Sequence, residues 1–249
     1  MRYFIQFSYN GTQYHGWQIQ PNASSVQQTL TEALSTLLQE KMELTGAGRT
    51  DSGVHAQMMF AHFDFEHALP ENLTHKLNSF LPKDIAVQKV FEVAADAHAR
   101  FDATARTYQY HIHQQKNVFL DSLSWFYGKE LKVDAMNEAA KLLLTHTDFE
   151  CFSKVHTEVY TFDCAVAEAY WTVAQDQLTF TITANRFLRN MVRAIVGTLL
   201  EVGRGQMTLA EFQEVLNSKN RSEAGVSVPA HGLYLTKIVY PYVSFDSTN

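Results

Sequence analysis

The sequence predicts an α+β fold, and two patterns carry this prediction. Residues 2–9 alternate apolar and polar side chains as a strand does, and in residues 106–113 Tyr108, Tyr110 and Ile112 share one side. By contrast, apolar residues recur at helical spacing between residues 26 and 38. Strands paired as hairpins and separated by helices favour antiparallel sheet with helices packed on one face.

The elements follow one another along the whole chain. Strands are predicted at residues 2–9, 43–45, 57–65, 85–93, 106–113, 161–173, 177–185 and 232–240. Helices are predicted at residues 26–38, 71–81, 133–145, 187–202 and 208–217. Ser24-Ser25 supplies a cap for the first helix, Pro82 follows the second, and Gln175-Asp176 forms a turn between two strands. A polar break at 114–117 divides the chain into an N-terminal half, 1–113, and a C-terminal half, 114–249.

The composition indicates a globular protein with a sizeable core. Of 249 residues, 46% are hydrophobic and 18% charged, which excludes wholesale disorder. No apolar run reaches the ~18 residues of a membrane span, and the first residues carry no signal-peptide cleavage pattern. The two cysteines, Cys151 and Cys164, are too few for a disulfide framework or a zinc cage. We therefore expect a reduced, cytoplasmic protein with no metal site.

Charge is locally positive on a chain with a net charge of −6. The net charge argues only weakly against a nucleic-acid partner, because local arrangements of cations bind phosphate. Arginines cluster in three segments: Arg49; Arg100 and Arg106; Arg186, Arg189 and Arg193. The last three stand at positions i, i+3 and i+7, and this spacing predicts that they share one helix face.

Gly46–Ala56, with the sequence GAGRTDSGVHA, is the most unusual segment in the chain. Its three glycines permit positive φ and close approach of a ligand to the backbone, yet the spacing matches neither phosphate-loop template. One interpretation is a structural turn in which Asp51 bonds to the nearby backbone. The other is a catalytic site, which the neighbouring Arg49 favours because a cation stabilises an ionised carboxylate.

Gly46–Ala56 resembles the catalytic motif of the TruA family of tRNA pseudouridine synthases, in which the Asp after Arg-Thr is the catalytic carboxylate. Four further segments resemble family motifs in the same order: 8–22, 98–110, 184–193 and 229–235. The resemblance thus covers essentially the whole chain. It implies a long, mostly antiparallel sheet built from two related α+β halves, with the active site in a central cleft.

The resemblance implies an isomerase that converts uridine to pseudouridine at positions 38–40 in the anticodon stem-loop of tRNA. The reaction breaks the N-glycosidic bond, turns the uracil and rejoins it through carbon, and needs no cofactor. Asp51 is the implied catalytic carboxylate, whether it attacks the ribose, attacks the ring or abstracts a proton. Arg49 would contact the flipped nucleotide or brace the loop. The implied partners are tRNA and a second copy of the chain, in a homodimer.

Two residues of the further motifs, one in 98–110 and one in 184–193, also carry implied roles. Tyr108 matches the family tyrosine that stacks on the target base, a contact worth ~1–3 kcal/mol. Without the resemblance, a tyrosine on an alternating strand is a half-buried sheet residue, and Tyr110 is the more structural of the pair. Arg193 matches the arginine that forms an ion pair with the catalytic Asp51.

Other residues resemble the RNA-contacting part of the family. His98, Arg100, Phe101 and Arg106 combine cations and rings, which grip phosphates and exposed bases. Arg186 and Arg189 are further candidates, with a solvated basic face as the alternative. Segment 153–160 departs from the family because it lacks arginine. A metal pair at His111 and His113 is disfavoured, since no carboxylate or cysteine stands at ligand spacing.

Two other functions remain open on the same fold. One is a catalytically silent RNA-binding or chaperone protein, and the other is a synthase aimed at a different RNA. The intact Arg49-Thr50-Asp51 and Tyr108 disfavour the silent protein, which has no chemical reason to keep the carboxylate.

Overall fold

The structure is a computed structural model that describes residues 1–154 and 160–243. Its residues form two compact units. The first contains residues 1–104 and 234–243, and the second contains residues 105–233. This grouping differs from the predicted halves, because residues 105–113 belong to the second unit and the C-terminal segment to the first. The halves 1–113 and 114–249 stay a prediction.

Nine strands and five helices make up the described residues. The strands are β1 Arg2–Tyr9, β2 Thr45–Gly46, β3 His55–Asp64, β4 Ile85–Val93, β5 Ala105–His113, β6 Trp125–Phe126, β7 Val166–Ala174, β8 Gln177–Ala184 and β9 Leu233–Val239. The helices are α1 Val26–Leu38, α2 Leu73–Phe80, α3 Val133–Leu142, α4 Met191–Gly203 and α5 Leu209–Ser218. Over these residues no helix is long and apolar enough to span a membrane.

The sheet of the first unit has the strand order β4-β1-β3-β9, with β2 also paired to β3. Its pairs are antiparallel except for β3 and β9, which run parallel from His55 opposite Tyr234. Side chains of β1 and β3 fill the core, among them Phe4, Phe7 and Phe60, which are fully buried. The segment that carries Asp51 connects β2 to β3, which are paired with each other, so both of its ends are attached to this sheet.

The second unit contains a three-stranded antiparallel sheet, β5-β8-β7, to which β6 adds a short parallel pair with β5. Helix α4 is almost entirely buried, because it is apolar nearly all round rather than on one face. Cys151 and Cys164 are buried and unoxidised, and burial raises the thiol pKa to about 12 and about 11. Both thiols are therefore unreactive packing residues.

The predicted α+β class is confirmed, and most element boundaries agree within a few residues. The strand predicted at 85–93 and the helix predicted at 26–38 match β4 and α1 at both ends. The sequence signals at these two elements are clear: β4 largely alternates apolar and polar residues, and α1 begins after a serine cap. Ser25 accepts a hydrogen bond from the Gln28 amide at the start of α1. The parallel pairs and the two-residue strand β6 were not predicted.

The prediction for helix 187–202 was wrong at its N-terminus. Helix α4 begins at Met191, after Asn190 in the left-handed region with φ of 67°. Residues 185–190 instead form a loop, in which the Asn185 side chain accepts hydrogen bonds from the amides of Ala165 and Arg186. Arg186 and Arg189 therefore precede the helix and share no helix face with Arg193. The predicted strand 161–173 likewise starts late, at Val166.

Part of segment 153–160, whose RNA contacts the sequence left in doubt, lies outside the described residues.

Candidate active site

Asp51 lies in the loop between β2 and β3, in the first unit. Its side chain is half-buried, and Arg49 beside it is exposed. At one end the Ala47 amide donates to the Phe60 carbonyl at 2.8 Å, which ties the loop to β3. At the other end the Val54 amide donates back to the Asp51 carbonyl at 3.2 Å, closing a turn. The backbone on both sides of the carboxylate is therefore fixed.

Segment 14–17 supports this loop through backbone hydrogen bonds. The Trp17 amide donates to the Thr50 carbonyl at 3.4 Å, and the Gly53 amide donates to the Tyr14 carbonyl at 3.2 Å. The same segment also accepts hydrogen bonds from the start of α1, where the Val26 amide donates to the Gly16 carbonyl at 3.2 Å. Segment 14–17 thus joins the Asp51 loop to the N-terminus of α1, whose apolar face is buried.

Gly16 is required at the closest point of this contact. It has φ of +89°, and a Cβ there would lie 2.2 Å from the Thr50 carbonyl oxygen and 3.1 Å from the Asp51 carbonyl carbon. Any side chain would therefore push the backbone of the Asp51 loop away. In the loop itself, Gly48 has no such constraint, because a Cβ at that position would meet nothing within 4 Å.

Side chains from β1 and β3 complete the support. The Tyr9 hydroxyl is 2.8 Å from the Thr50 hydroxyl, directly before Asp51. The buried His55 ring accepts a hydrogen bond from the Gly11 amide at Nδ1, over 3.0 Å, and stacks on Tyr234 at 4.5 Å. Tyr9 and His55 were not predicted as site residues, although both stand inside the segments that resemble the family.

A tight turn at residues 98–102 presents Arg100 and Phe101 on the surface of the first unit. The His98 Nδ1 atom accepts from the amides of Arg100 and Phe101, and the Asp102 carboxylate accepts from the His98 amide at 2.7 Å. Phe101 is 73% exposed, and the Arg100 guanidinium lies 5.6 Å from its ring centre. The turn thus holds a cation and a flat ring together, facing solvent.

Two histidines of this region, His98 in the turn and His62 on β3, have lowered pKa values that favour the neutral ring. Burial, with the nearby His98 and Arg2, lowers the pKa of His62 to about 4, and its Nδ1 accepts from the Ala99 amide. Burial also lowers the pKa of His98, against the opposing effect of Asp102. Since Nδ1 accepts in both rings, each neutral ring carries its proton on Nε2.

In the second unit, Tyr108 and Tyr110 point to the same side of β5 but differ in burial. Tyr108 is half-buried, with its ring edge-on to Phe187 at 5.0 Å between centres. Tyr110 is fully buried and its hydroxyl donates to the Pro229 carbonyl at 2.8 Å. The predicted structural character of Tyr110 is confirmed.

Arg193 lies in the first turn of α4, where its Nε donates to the Val228 carbonyl at 2.7 Å. The other candidate arginines of this unit make contacts with loops. Arg106 donates to the Asn185 carbonyl at 3.0 Å, and Arg186 reaches the Thr161 carbonyl at 3.4 Å. Arg189 is exposed, and its main-chain carbonyl accepts from the Lys154 amide. These contacts brace the loop that precedes α4.

The candidate residues fall into two sets. Asp51, Arg49, His98, Arg100 and Phe101 belong to the first unit, and Arg106, Tyr108, Arg186, Arg189 and Arg193 to the second. Each set combines cations with an aromatic ring, and the first adds a carboxylate in a braced loop. Within residues 1–154 and 160–243, no three His, Cys, Asp or Glu side chains form a group able to hold a metal ion.

Comparison with known proteins gives one consistent result. A family model described as tRNA pseudouridine synthase matches residues 5–102 and 139–241. A protein named tRNA pseudouridine synthase A from Parabacteroides distasonis is 52% identical over 242 residues, covering 96% of both chains. Its namesake from Porphyromonas gingivalis is 51% identical, covering 96% of this chain and 97% of its own. The one from Bacillus subtilis is 40% identical, covering 96% and 99%.

We expect Gly16→Ala to destabilise the protein, because both the positive φ and the 2.2 Å approach to Thr50 oppose a side chain. The melting temperature should fall by several degrees, corresponding to about 1–3 kcal/mol. Gly48→Ala is the matched control and should leave the melting temperature unchanged. Equal melting temperatures for the two variants would show that the Asp51 loop does not depend on Gly16.

Proposed function

The chain belongs to the family of tRNA pseudouridine synthases, and we propose that it isomerises uridine to pseudouridine at positions 38–40 of the tRNA anticodon stem-loop. The observation that carries this proposal is a half-buried carboxylate, Asp51, in a Gly-rich loop braced on both sides by backbone hydrogen bonds. Chemistry at a glycosidic bond needs such a carboxylate held in place before the substrate arrives.

The proposed reaction conserves every atom of the nucleoside. The bond between ribose C1′ and uracil N1 breaks, the detached uracil turns, and a bond forms between C1′ and C5. The proton on C5 then leaves, and N1 gains one. No electrons are transferred to or from the nucleoside, so the isomerisation itself requires no redox cofactor. The protein must instead hold the free base and keep water from the reacting carbon.

Asp51 is the catalytic carboxylate of this proposal. Its oxygens act on the ribose, on the ring or on the proton that must leave, and each of these steps requires the ionised form. Arg193 is proposed as the cation that pairs with Asp51, a role taken from the resemblance of residues 184–193 to the family motif. Arg49, exposed beside Asp51, is proposed to contact the backbone of the flipped nucleotide.

Tyr108 is proposed as the platform for the target base. A flat ring suits a flipped-out pyrimidine, since stacking needs only the π face of each partner. The edge-on contact between the rings of Tyr108 and Phe187 supports this role. It holds the Tyr108 ring in one orientation, so that a base can stack on it in a defined way.

The surrounding cations and rings are proposed to bind the rest of the tRNA. These residues are His98, Arg100, Phe101, Arg106, Arg186 and Arg189. The paired exposure of Arg100 and Phe101 supports the assignment, because RNA recognition combines phosphate contacts with stacking on unpaired bases. The homodimer that the family resemblance implies would let a chain of net charge −6 combine the cations of two copies along one tRNA. We propose that this dimer acts in the cytoplasm.

Asp51→Asn is expected to abolish turnover while tRNA binding survives. The carboxylate acts in the chemical step, whereas affinity comes from many phosphate and stacking contacts. The single-turnover rate should fall at least about a thousandfold, or ~4 kcal/mol. Asp96→Asn, at an exposed carboxylate of the same unit, is the control. Activity of Asp51→Asn within tenfold of the control would refute the assignment.

Substitutions of Tyr108 should separate stacking from proton transfer. If the ring is the platform, Tyr108→Phe keeps tRNA binding and loses at most a proton-transfer contribution, whereas Tyr108→Leu loses the platform as well. Single-turnover rates are measured together with melting temperatures. A stable and fully active Tyr108→Leu enzyme would mean that Tyr108 is only a half-buried sheet residue.

Phe101→Ala should weaken tRNA binding, because the exposed ring loses a stacked base. A loss of ~1–3 kcal/mol corresponds to a dissociation constant about 5–150 times higher. Phe119→Ala removes another exposed ring, at 86% exposure, and should leave the affinity unchanged. Equal affinities in filter binding at matched salt would remove Phe101 from the RNA surface.

A further inference from the structure

Residues 224–229 form an irregular segment, here called the strap, that lies in direct backbone contact with α4. The Gly225 amide donates to the Thr198 hydroxyl at 2.9 Å. The approach is close enough to exclude a side chain on the helix, since a Cβ at Gly197 would lie 1.9 Å from the Val226 carbonyl oxygen. The strap is therefore seated on α4 at a fixed point.

Ser227 anchors the middle of the strap. Its hydroxyl oxygen accepts from the Asn190 side-chain amide at 2.6 Å and from the Arg221 guanidinium at 2.8 Å. Arg221 also donates to the Ala224 carbonyl at 3.2 Å. Asn190 is the residue with positive φ immediately before α4, so the strap is joined to the start of the helix as well as to its middle.

The C-terminal end of the strap joins Arg193 to β5. The Arg193 Nε donates to the Val228 carbonyl at 2.7 Å, and the Val228 amide donates to the Arg193 carbonyl at 3.2 Å. The next carbonyl, that of Pro229, accepts from the buried Tyr110 hydroxyl at 2.8 Å. Tyr110 stands two residues from Tyr108 on the same side of β5.

We propose that the strap is a positioning device that sets the orientation of the Arg193 guanidinium for catalysis, with Thr198 and Tyr110 as its positioning residues. The proposal rests on the proposed function of Arg193. A guanidinium on a long flexible side chain has many orientations, and a hydrogen bond at Nε fixes its plane. The carbonyl that makes this bond is held in turn by Thr198 on one side and Tyr110 on the other.

The strap is expected to affect the turnover rate but not the affinity for RNA. Displacing the Val228 carbonyl turns the guanidinium away from its orientation, and a small error in the placement of a catalytic group is costly in rate. The anchoring atoms of Thr198 and Tyr110 are buried in the second unit, so they are not part of the RNA-binding surface. Loss of an anchor should therefore lower the turnover rate at saturating tRNA and leave the dissociation constant unchanged.

Thr198→Val and Tyr110→Phe each remove one anchoring hydroxyl and preserve side-chain volume. We expect single-turnover rates at saturating tRNA to fall about 10–100-fold, with dissociation constants within about threefold of the wild type. Thr198→Ser keeps the hydroxyl and should restore the rate. Thr36→Val is the matched control: Thr36 makes the same bond to the carbonyl four residues earlier, on α1 and away from the strap. Rates are normalised to the folded fraction at the assay temperature.

A double-mutant cycle with Arg193→Lys separates positioning from general destabilisation. Lysine lacks Nε–H, so with Arg193→Lys already present Thr198→Val should lower the rate by less than about twofold further. The same fold loss in both backgrounds would overturn the proposal, as would a fully active Thr198→Val enzyme beside an inactive Arg193→Lys enzyme. An Arg193→Lys enzyme as active as the wild type would instead refute the proposed function of Arg193 itself.

Discussion

The backbone contact between segment 14–17 and the loop at 50–53 is the constraint on which the placement of Asp51, the proposed catalytic carboxylate, depends. Two hydrogen bonds and one glycine hold it: Trp17 to Thr50, Gly53 to Tyr14, and Gly16 with no side chain at the point of contact. A catalytic carboxylate must be aimed before its substrate arrives, and a loop on its own is too mobile for that. The neighbouring segment transfers the rigidity of α1 and the sheet to Asp51.

The second unit likewise uses main-chain hydrogen bonds to hold a candidate site residue, Arg193, in place. There the strap, residues 224–229, fixes a side chain through main-chain atoms, since Val228 bonds to Arg193 at both its amide and its carbonyl. Glycine again marks the closest approach, at Gly197 beneath Val226. Main-chain groups suit this purpose because their positions vary less than those of long side chains. In both units, main-chain contacts thus hold the segments that carry Asp51 and Arg193, the two side chains proposed to act in the reaction.

The helices and strands could be predicted from the sequence where local signals, such as caps and apolar periodicity, determine their ends. They could not be predicted where tertiary contacts determine them. Helix α1 has a serine cap and an apolar stripe, so both of its ends were predictable. The start of α4 was not, because the apolar pattern runs on through Leu188 while Asn190 interrupts the helix with a positive φ. The Asp51 motif was visible as a rare combination of residue types. Tyr9, His55 and the strap were not, because each acts through a contact with a residue far away in the chain.

The central claim is that this chain makes pseudouridine at positions 38–40 of tRNA. It is tested most directly by mapping pseudouridine position by position in total tRNA from cells that lack the gene, with and without a wild-type copy restored. We expect unmodified uridine at positions 38–40 in the deletion strain, full modification on restoration, and no change at other pseudouridine sites. Pseudouridine persisting at positions 38–40 without the gene, or disappearing elsewhere, would contradict it.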